Sequence, residues 1–270
     1  MKEYKSFYKT VEGNEGEKCL YKTRLDTFGC GCQHDCSYCY AKSLLSFRGL
    51  WDAKEPAVAD IDKIEKRIAK LKPRSIVRLG GMTDCFQPLE ESEGVTLETI
   101  RLLNMYNIGY LIVTKSDLIC EYANILRKDL AHIQISTTWL PCEKAVSTKR
   151  RIAAIESLEE TGFDVAVRLS PYVPQVVDFD QLNSIRCKKI IVEFLRVNHW
   201  IKKWLPLDYS EYSVFHAGYQ HLPLEKKIEA LAKITGFDEV SVCEDVDEHY
   251  AYWRECVNHN KEDCCNLRRD

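Results

Sequence analysis

No run of about 18 apolar residues occurs anywhere in this 270-residue chain, which excludes an ordinary membrane-spanning helix. The opening residues Met1 to Phe7 lack the apolar core of an export signal, so the expectation is a cytoplasmic protein without a membrane partner. Net charge is nearly absent as well: 29% of residues are charged, yet the balance is only −3. An extended nucleic-acid coat would be basic, so that class is excluded, while a local basic groove is not. Internal repeats, low-complexity segments and clear linkers are missing, which leaves one large domain or one domain with an appendage. Hydrophobic residues make up 45%, ordinary for a chain that buries a sizeable core. The 13 cysteines are an odd number in a chain expected to stay in a reducing compartment, which argues against a disulfide framework.

What the chain does have is a loop dense in thiols, Gly29-Cys30-Gly31-Cys32-Gln33-His34-Asp35-Cys36-Ser37-Tyr38-Cys39-Tyr40. Cys32, Cys36 and Cys39 stand in C-x3-C-x2-C spacing, close enough for one loop to wrap a single metal centre. A structural zinc wants a closed set of four ligands, usually from two separated pairs. No second C-x2-C occurs in the chain. Iron–sulfur clusters are normally held by four thiolates. Three tightly spaced cysteines without a fourth suggest a four-iron cluster with one iron open to a substrate or cofactor. Cys30, two residues from Cys32, falls outside the set. The spacing, with an aromatic before the last cysteine, resembles the signature of radical S-adenosylmethionine (radical SAM) enzymes. That resemblance implies a 4Fe-4S cluster whose open iron is chelated by S-adenosylmethionine, and an external electron donor such as flavodoxin or ferredoxin. It also implies reductive cleavage to methionine and a 5′-deoxyadenosyl radical that abstracts hydrogen from an unactivated carbon.

Along the chain, short apolar runs alternate with amphipathic stretches. Residues 1–20 read as a polar, irregular lead-in, and residues 21–28 as a first strand delivering the cysteine loop. Asp60 can cap a helix carrying Ile61, Ile64, Ile68 and Leu71, stopped by Pro73. Strands follow at 75–79, 110–113, 132–135, 164–169 and 189–194. The helices between them are marked by Leu97, Ile100 and Leu103, by residues 118–127, and by Ser147 capping Ile152, Ile155 and Leu158, with Gly162 at the end. A later helix at 223–234 and a strand at 238–243 complete the pattern. Residues 205–222 are the least regular stretch. Apolar strands alternating with helices predict a parallel sheet covered by helices. The fold class is therefore α/β, a partial (β/α)6 barrel of the radical SAM type with a short C-terminal extension. Residues 1–21 are read as the lead-in, 22–222 as the barrel, and 223–270 as an extension with a cysteine-rich tail. The expected state is a monomer.

In such barrels, function collects at the C-terminal ends of the strands. Gly80-Gly81-Met82-Thr83-Asp84 ends the second strand, where glycine lets backbone approach a ligand or simply makes a tight turn. By resemblance, Gly80, Gly81, Thr83 and Asp84 match the glycine-rich motif for the SAM amino group. Lys115 looks like a carboxylate contact and Ser136 a ribose contact. Arg168 and Glu193 are charges in apolar strands and need either each other or a ligand. Three segments narrow the resemblance to the spore photoproduct lyase-like branch: His34 to Ala41, Thr83-Asp84-Cys85-Phe86-Gln87-Pro88-Leu89-Glu90, and Arg168-Leu169-Ser170-Pro171. True photoproduct lyases in that branch open a methylene-bridged thymine dimer in DNA, while branch membership by itself does not set the substrate. The resemblance makes Tyr38 and Tyr40 candidates to relay a hydrogen atom. Cys85, at a strand end beside the expected cofactor pocket, is a candidate to return one.

The substrate stays open between a nucleobase in DNA or RNA, a peptide and a small molecule. A nucleic acid would use Lys149, Arg150, Arg151, Lys202 and Lys203 as phosphate contacts, although such residues also make ordinary solvated helix faces. A different class, a non-catalytic zinc-binding interaction module, requires a complete four-ligand set. Cys243, Cys256, Cys264 and Cys265 lie within one C-terminal stretch and could hold a second metal centre. Alternatively, Asp263-Cys264-Cys265-Asn266-Leu267 only packs the tail against the barrel.

Overall fold

A computed structural model describes residues 4–9, 18–141 and 144–268. Its centre is an eight-stranded sheet, open at two edges. The strands are β1 (Phe7–Lys9), β2 (Thr23–Leu25), β3 (Ile76–Leu79), β4 (Gly109–Thr114), β5 (Ala131–Thr137), β6 (Asp164–Tyr172), β7 (Lys189–Phe194) and β8 (Glu239–Val242). They lie side by side in chain order. All neighbours from β2 to β8 pair in parallel, and β1 adds an antiparallel edge, Phe7 opposite Leu25. This is the partial barrel that the alternation predicts, with seven parallel strands where six were expected and one more from 238–243.

Side chains alternate across each strand. Leu25, Val77, Leu79, Tyr110, Ile112, Ile133, Ile135, Val167, Ile190 and Val192 enter the helix-covered core. Each such side chain taken from water contributes about 1.5–3 kcal/mol. The opposite faces carry Arg24, Arg78, Gln134, Arg168 and Glu193, so the concave side of the sheet is polar. Outside pack α1 (Tyr40–Phe47), α2 (Ile61–Ile68), α3 (Val95–Met105), α4 (Thr148–Glu160), α5 (His199–Trp204), α6 (Leu224–Leu231) and α7 (Asp247–Cys256). The expected caps are made: Asp60 accepts from Lys63 N and Ser147 from Arg150 N, and Gly162 turns the chain at φ +83°.

Four readings differ from the sequence expectation. Residues 7–9 form an edge strand in the lead-in, because Tyr8 reaches across to Asp26 at 2.9 Å. The strand at 21–28 breaks at Asp26, whose carboxylate leaves the strand axis for Gly81 N and Met82 N. The helix at 118–127 is only a 3₁₀ turn, Leu118–Tyr122. Its continuation is held by other elements, with Asn104 donating to Ile125 O and Arg127 N donating to the Tyr110 hydroxyl. Within 205–222, Val214–His216 and Tyr219–His221 form a hairpin.

The tail enters the sheet's concave side near the strand starts. Tyr21 donates to Asp263, Lys189 Nζ to Asn266 O at 2.8 Å, and Arg268 N to Asp164 Oδ2 at 2.9 Å. Cys265 and Leu267 pack on Cys19, Tyr21 and Leu111. Among the described residues, no helix is long and apolar enough to cross a membrane.

Candidate active site

The cysteine loop is shaped by two tight turns, Asp35 N to Cys32 O and Cys39 N to Cys36 O. Asp35 sits at φ +45°. Cys39 begins α1, its Sγ accepting from Lys42 N at 3.4 Å. Two contacts moor the loop: Gln33 N to Gln87 Oε1 at 2.7 Å, and Gly31, where a Cβ would meet Asp52 O at 1.8 Å.

The three thiols open onto one cavity of about 140 Å³ at the strand ends. Its walls include Cys32, Cys36, Cys39, Tyr38, Tyr40, Gly80, Gly81, Thr83, Asp84, Lys115, Ser136 and Arg168. Of the residues named from the sequence for the cluster, the cofactor and hydrogen transfer, Cys85 alone is not among these walls; the candidate phosphate contacts and the tail cysteines also lie outside them. Cys85 is 1% exposed, packed with Phe86 in the helix-side core, its carbonyl accepting from Thr96. Burial, followed by the Asp84 charge, pushes its thiol well above the ordinary range.

Several of the gathered residues are occupied with the protein itself. Thr83 Oγ1 donates to Phe28 O at 2.7 Å and Ser136 Oγ to Ser170 O at 2.7 Å. Asp84 accepts from Thr114 Oγ1 at 2.7 Å, Lys115 N at 2.6 Å and Phe86 N at 2.9 Å, and pairs with His34 Nε2 at 3.2 Å. It therefore ties the cysteine loop to the end of β4. Arg168 donates to Gln134 Oε1 at 2.8 Å and pairs with Glu193 at 2.5 Å. The ion-pair reading of those two charges is the one observed, and both still face the cavity. The glycines serve the turn. Gly80 sits at φ +78°, and a Cβ there would lie 2.3 Å from Val113 O. Gly80→Ala is accordingly expected to lower stability by at least about 2 kcal/mol, from left-handed strain plus overpacking against backbone. An unchanged urea midpoint would contradict this account of the turn.

The donor set fits the implied groups. The cluster-loop cysteines are free thiols, and burial pushes Cys32 up to about 12 and raises Cys39. Enclosed thiols of that kind become thiolates when a metal compensates them. Lys115 forms no ion pair among the described residues, and its Nζ lies 5.9 Å from the Tyr38 ring centre. It remains available to a carboxylate.

Sequence reading missed Asp26, Arg78, His34 and Arg196. Asp26 accepts from Gly81 N at 2.7 Å and Met82 N at 3.0 Å, and so holds the glycine turn. Arg196 lies 5.5 Å from both the Tyr40 and Tyr219 rings and pairs with Asp245 at 3.2 Å. The rule that singled out Arg168, a charge inside an apolar strand, applies equally to Arg24, Asp26 and Arg78.

Two other expectations are redrawn. Arg151 is buried and donates to Ser136 O at 2.8 Å, so it is no surface phosphate contact. Of the tail cysteines, Cys256 is exposed on α7, whereas Cys264 lies between the thiols of Cys243 and Cys265, with Cys19 beside Cys265. Among the described residues, the one group placing three ligand atoms within 4.8 Å of one another is His221, Glu244 and Asp245. Its charges are already met by Lys227 and Arg196.

Fold and site together define an α/β partial barrel with a thiol loop at the end of its first parallel strand. No family model matches the sequence. An uncharacterized protein of Methanocaldococcus jannaschii is 24% identical over 166 residues, which is 56% of this chain but only 61% of that protein. Spore photoproduct lyase complexed with dinucleoside spore photoproduct superposes with a TM-score of 0.62 at 14% identity, over 83% of this chain and 76% of that one. A mutant of the same lyase with bound AdoMet and the dinucleoside photoproduct gives 0.62 at 14%, over 85% and 78%. The chain has the fold of spore photoproduct lyase, the branch that its motifs resemble.

Proposed function

We propose that the chain is a radical SAM enzyme in which Cys32, Cys36 and Cys39 hold a 4Fe-4S cluster and the adjoining cavity takes S-adenosylmethionine. One observation carries this: the three thiols and the strand-end residues chosen from the sequence line a single cavity. When bound, the cluster and S-adenosylmethionine supply one electron, from an external donor of the flavodoxin or ferredoxin kind, and a 5′-deoxyadenosyl radical. The chain's own residues bind and enclose. Lys115 offers its ammonium to the amino-acid carboxylate. Asp26 and Asp84 fix the turn and strand end that face it. Phe194, Leu195 and Ile201 give the cavity an apolar stretch of wall that excludes water. Tyr38 and Tyr40 are the phenols on the wall, and hydrogen return is assigned to them ahead of the enclosed Cys85.

A nucleobase is the favoured substrate. The observation behind it is α5, which contributes Ile201 to the cavity and presents Lys202 and Lys203 to solvent beside the Trp200–Trp204 pair. Cation and aromatic side by side suit a base and its phosphate. The class is tested by anaerobic reconstitution with iron and sulfide, followed by dithionite and S-adenosylmethionine. Formation of 5′-deoxyadenosine with a four-iron spectrum is expected. Stoichiometric zinc without 5′-deoxyadenosine would instead establish a non-catalytic module.

A further inference from the structure

The concave face beneath the cavity holds two guanidiniums that no carboxylate of the described residues pairs with. Arg24 and Arg78 are direct partners in the parallel register of β2 and β3. Their neighbours Leu25 and Leu79 point into the helix-side core, so the two guanidiniums share the other face. Arg24 is 5% exposed and Arg78 7%, and Arg78 lines the cavity. The Nε of each is enclosed without a hydrogen-bond partner, and no carboxylate of the described residues pairs with either.

The surrounding anions are committed elsewhere. Asp26 turns its oxygens to Gly81, Met82 and Tyr8. Glu193 serves Arg168, Arg196 and Ser170. The Cys265 thiol is held down at about 6, by a hydrogen bond from Cys264 and, against burial, by Arg168 and Arg78. With Arg196 matched by Asp245 and Arg168 by Glu193, Arg24 and Arg78 are the two guanidiniums of this face left without a carboxylate partner among the described residues. A buried cation without a partner is strongly unfavourable, and a forked donor with unused N–H groups is suited to an oxyanion.

We propose that Arg24 and Arg78 form an oxyanion subsite on the cavity floor that holds a phosphate monoester or carboxylate of the molecule acted on. This rests on the cavity being the catalytic one. The subsite is distinct from the carboxylate position assigned to Lys115, which stands at the end of β4. Cys265 and Leu267 pack across the sheet below, so a terminal oxyanion can reach the pair whereas an internal phosphodiester of a duplex would have to thread the barrel. The substrate is accordingly small, or is presented by its end.

The test is thermal unfolding of the reconstituted full chain in sulfate against chloride at matched ionic strength, with and without saturating S-adenosylmethionine. Sulfate is expected to raise the midpoint by at least about 2 °C, and the rise should persist with S-adenosylmethionine bound. Arg78→Met should abolish the response and, in chloride, unfold no lower than wild type, since an uncompensated charge has been removed. Arg24→Met should do the same and serves if Arg78→Met does not fold; Arg78→Lys should retain a reduced response. No response in wild type overturns the proposal. A response unchanged in the methionine variants means an adventitious ion only, and one lost on adding S-adenosylmethionine means the cofactor's own carboxylate position. Because 5′-deoxyadenosine is measured on the same preparation, an active enzyme without a sulfate response sinks the subsite alone, and an inactive one sinks the catalytic reading.

Discussion

Alanine at any one of Cys32, Cys36 or Cys39 is expected to bring 5′-deoxyadenosine formation down to background while the chain remains folded. The three thiols are joined through two hydrogen-bonded turns and open on one cavity. Each is a free thiol and not half of a disulfide, so its loss leaves the backbone ladder of the sheet untouched. The structural cost is then one small side chain at a cavity wall, about 1 kcal/mol. The chemical cost is complete, because two thiolates cannot retain a cluster that needs three. Iron content, product formation and unfolding midpoint should therefore separate: the first two collapse and the third barely moves. Cys30→Ser is the control, expected to keep iron and activity, because Cys30 contributes its carbonyl to Asp52 N and is not among the cavity walls. A triple alanine variant making 5′-deoxyadenosine at the wild-type rate would refute the assignment. Metal analysis of that variant also decides the tail: iron or zinc left behind must sit elsewhere, with Cys243, Cys264 and Cys265 the first place to look, and a metal-free result ends the idea of a second centre.

Asp84→Ala should be the most damaging substitution outside the cysteines, at about 3–5 kcal/mol of stability with activity lost as well. The carboxylate is buried and accepts from the Thr114 hydroxyl and the Lys115 and Phe86 amides while pairing with His34. Alanine leaves these donors enclosed without an acceptor, each worth about 1–3 kcal/mol. It also unhooks the cysteine loop, through His34, from the strand end that carries Lys115. The balance of forces shows in its titration. Burial pushes the Asp84 pKa up, but His34, Thr114 and Lys115 outweigh it and hold it at about 2, against 3.8 for an ordinary carboxyl. A depressed folded-state value gives stability that is fully present above the unfolded value and is lost as pH falls through about 2. Its size is about 2–3 kcal/mol at neutral pH. The gap between wild type and Asp84→Ala in urea should thus be largest near pH 7 and shrink toward pH 2. A gap that did not change with pH would mean that Asp84 acts through shape alone.

What the sequence by itself determined is whatever depends on near neighbours in the chain. The C-x3-C-x2-C loop, the caps at Asp60 and Ser147, the turn at Gly162 and the alternation of apolar strands with amphipathic helices all rest on residues a few positions apart. Spacing and period are enough to specify such features. The parallel sheet followed from them, and so did the end of the sheet where the thiol-lined cavity lies. What only the tertiary structure decided is which strand-end residues face the cavity and which are brackets. Thr83, Asp84 and Ser136 were chosen as cofactor contacts, yet their side chains also hold Phe28, Thr114 with Lys115, and Ser170. Asp26 escaped notice because its partners Gly81 and Met82 lie more than fifty residues away. The tail looked like a metal site or mere packing, and it is the register of β6 and β7 that brings Asp164 and Lys189 to Arg268 and Asn266. The reason is one of degrees of freedom. A side chain's local period fixes the face of a strand it occupies, but its partner is set by how far apart in sequence the neighbouring strands are joined. A buried polar group is satisfied by whichever distant donor or acceptor the packed sheet brings within reach.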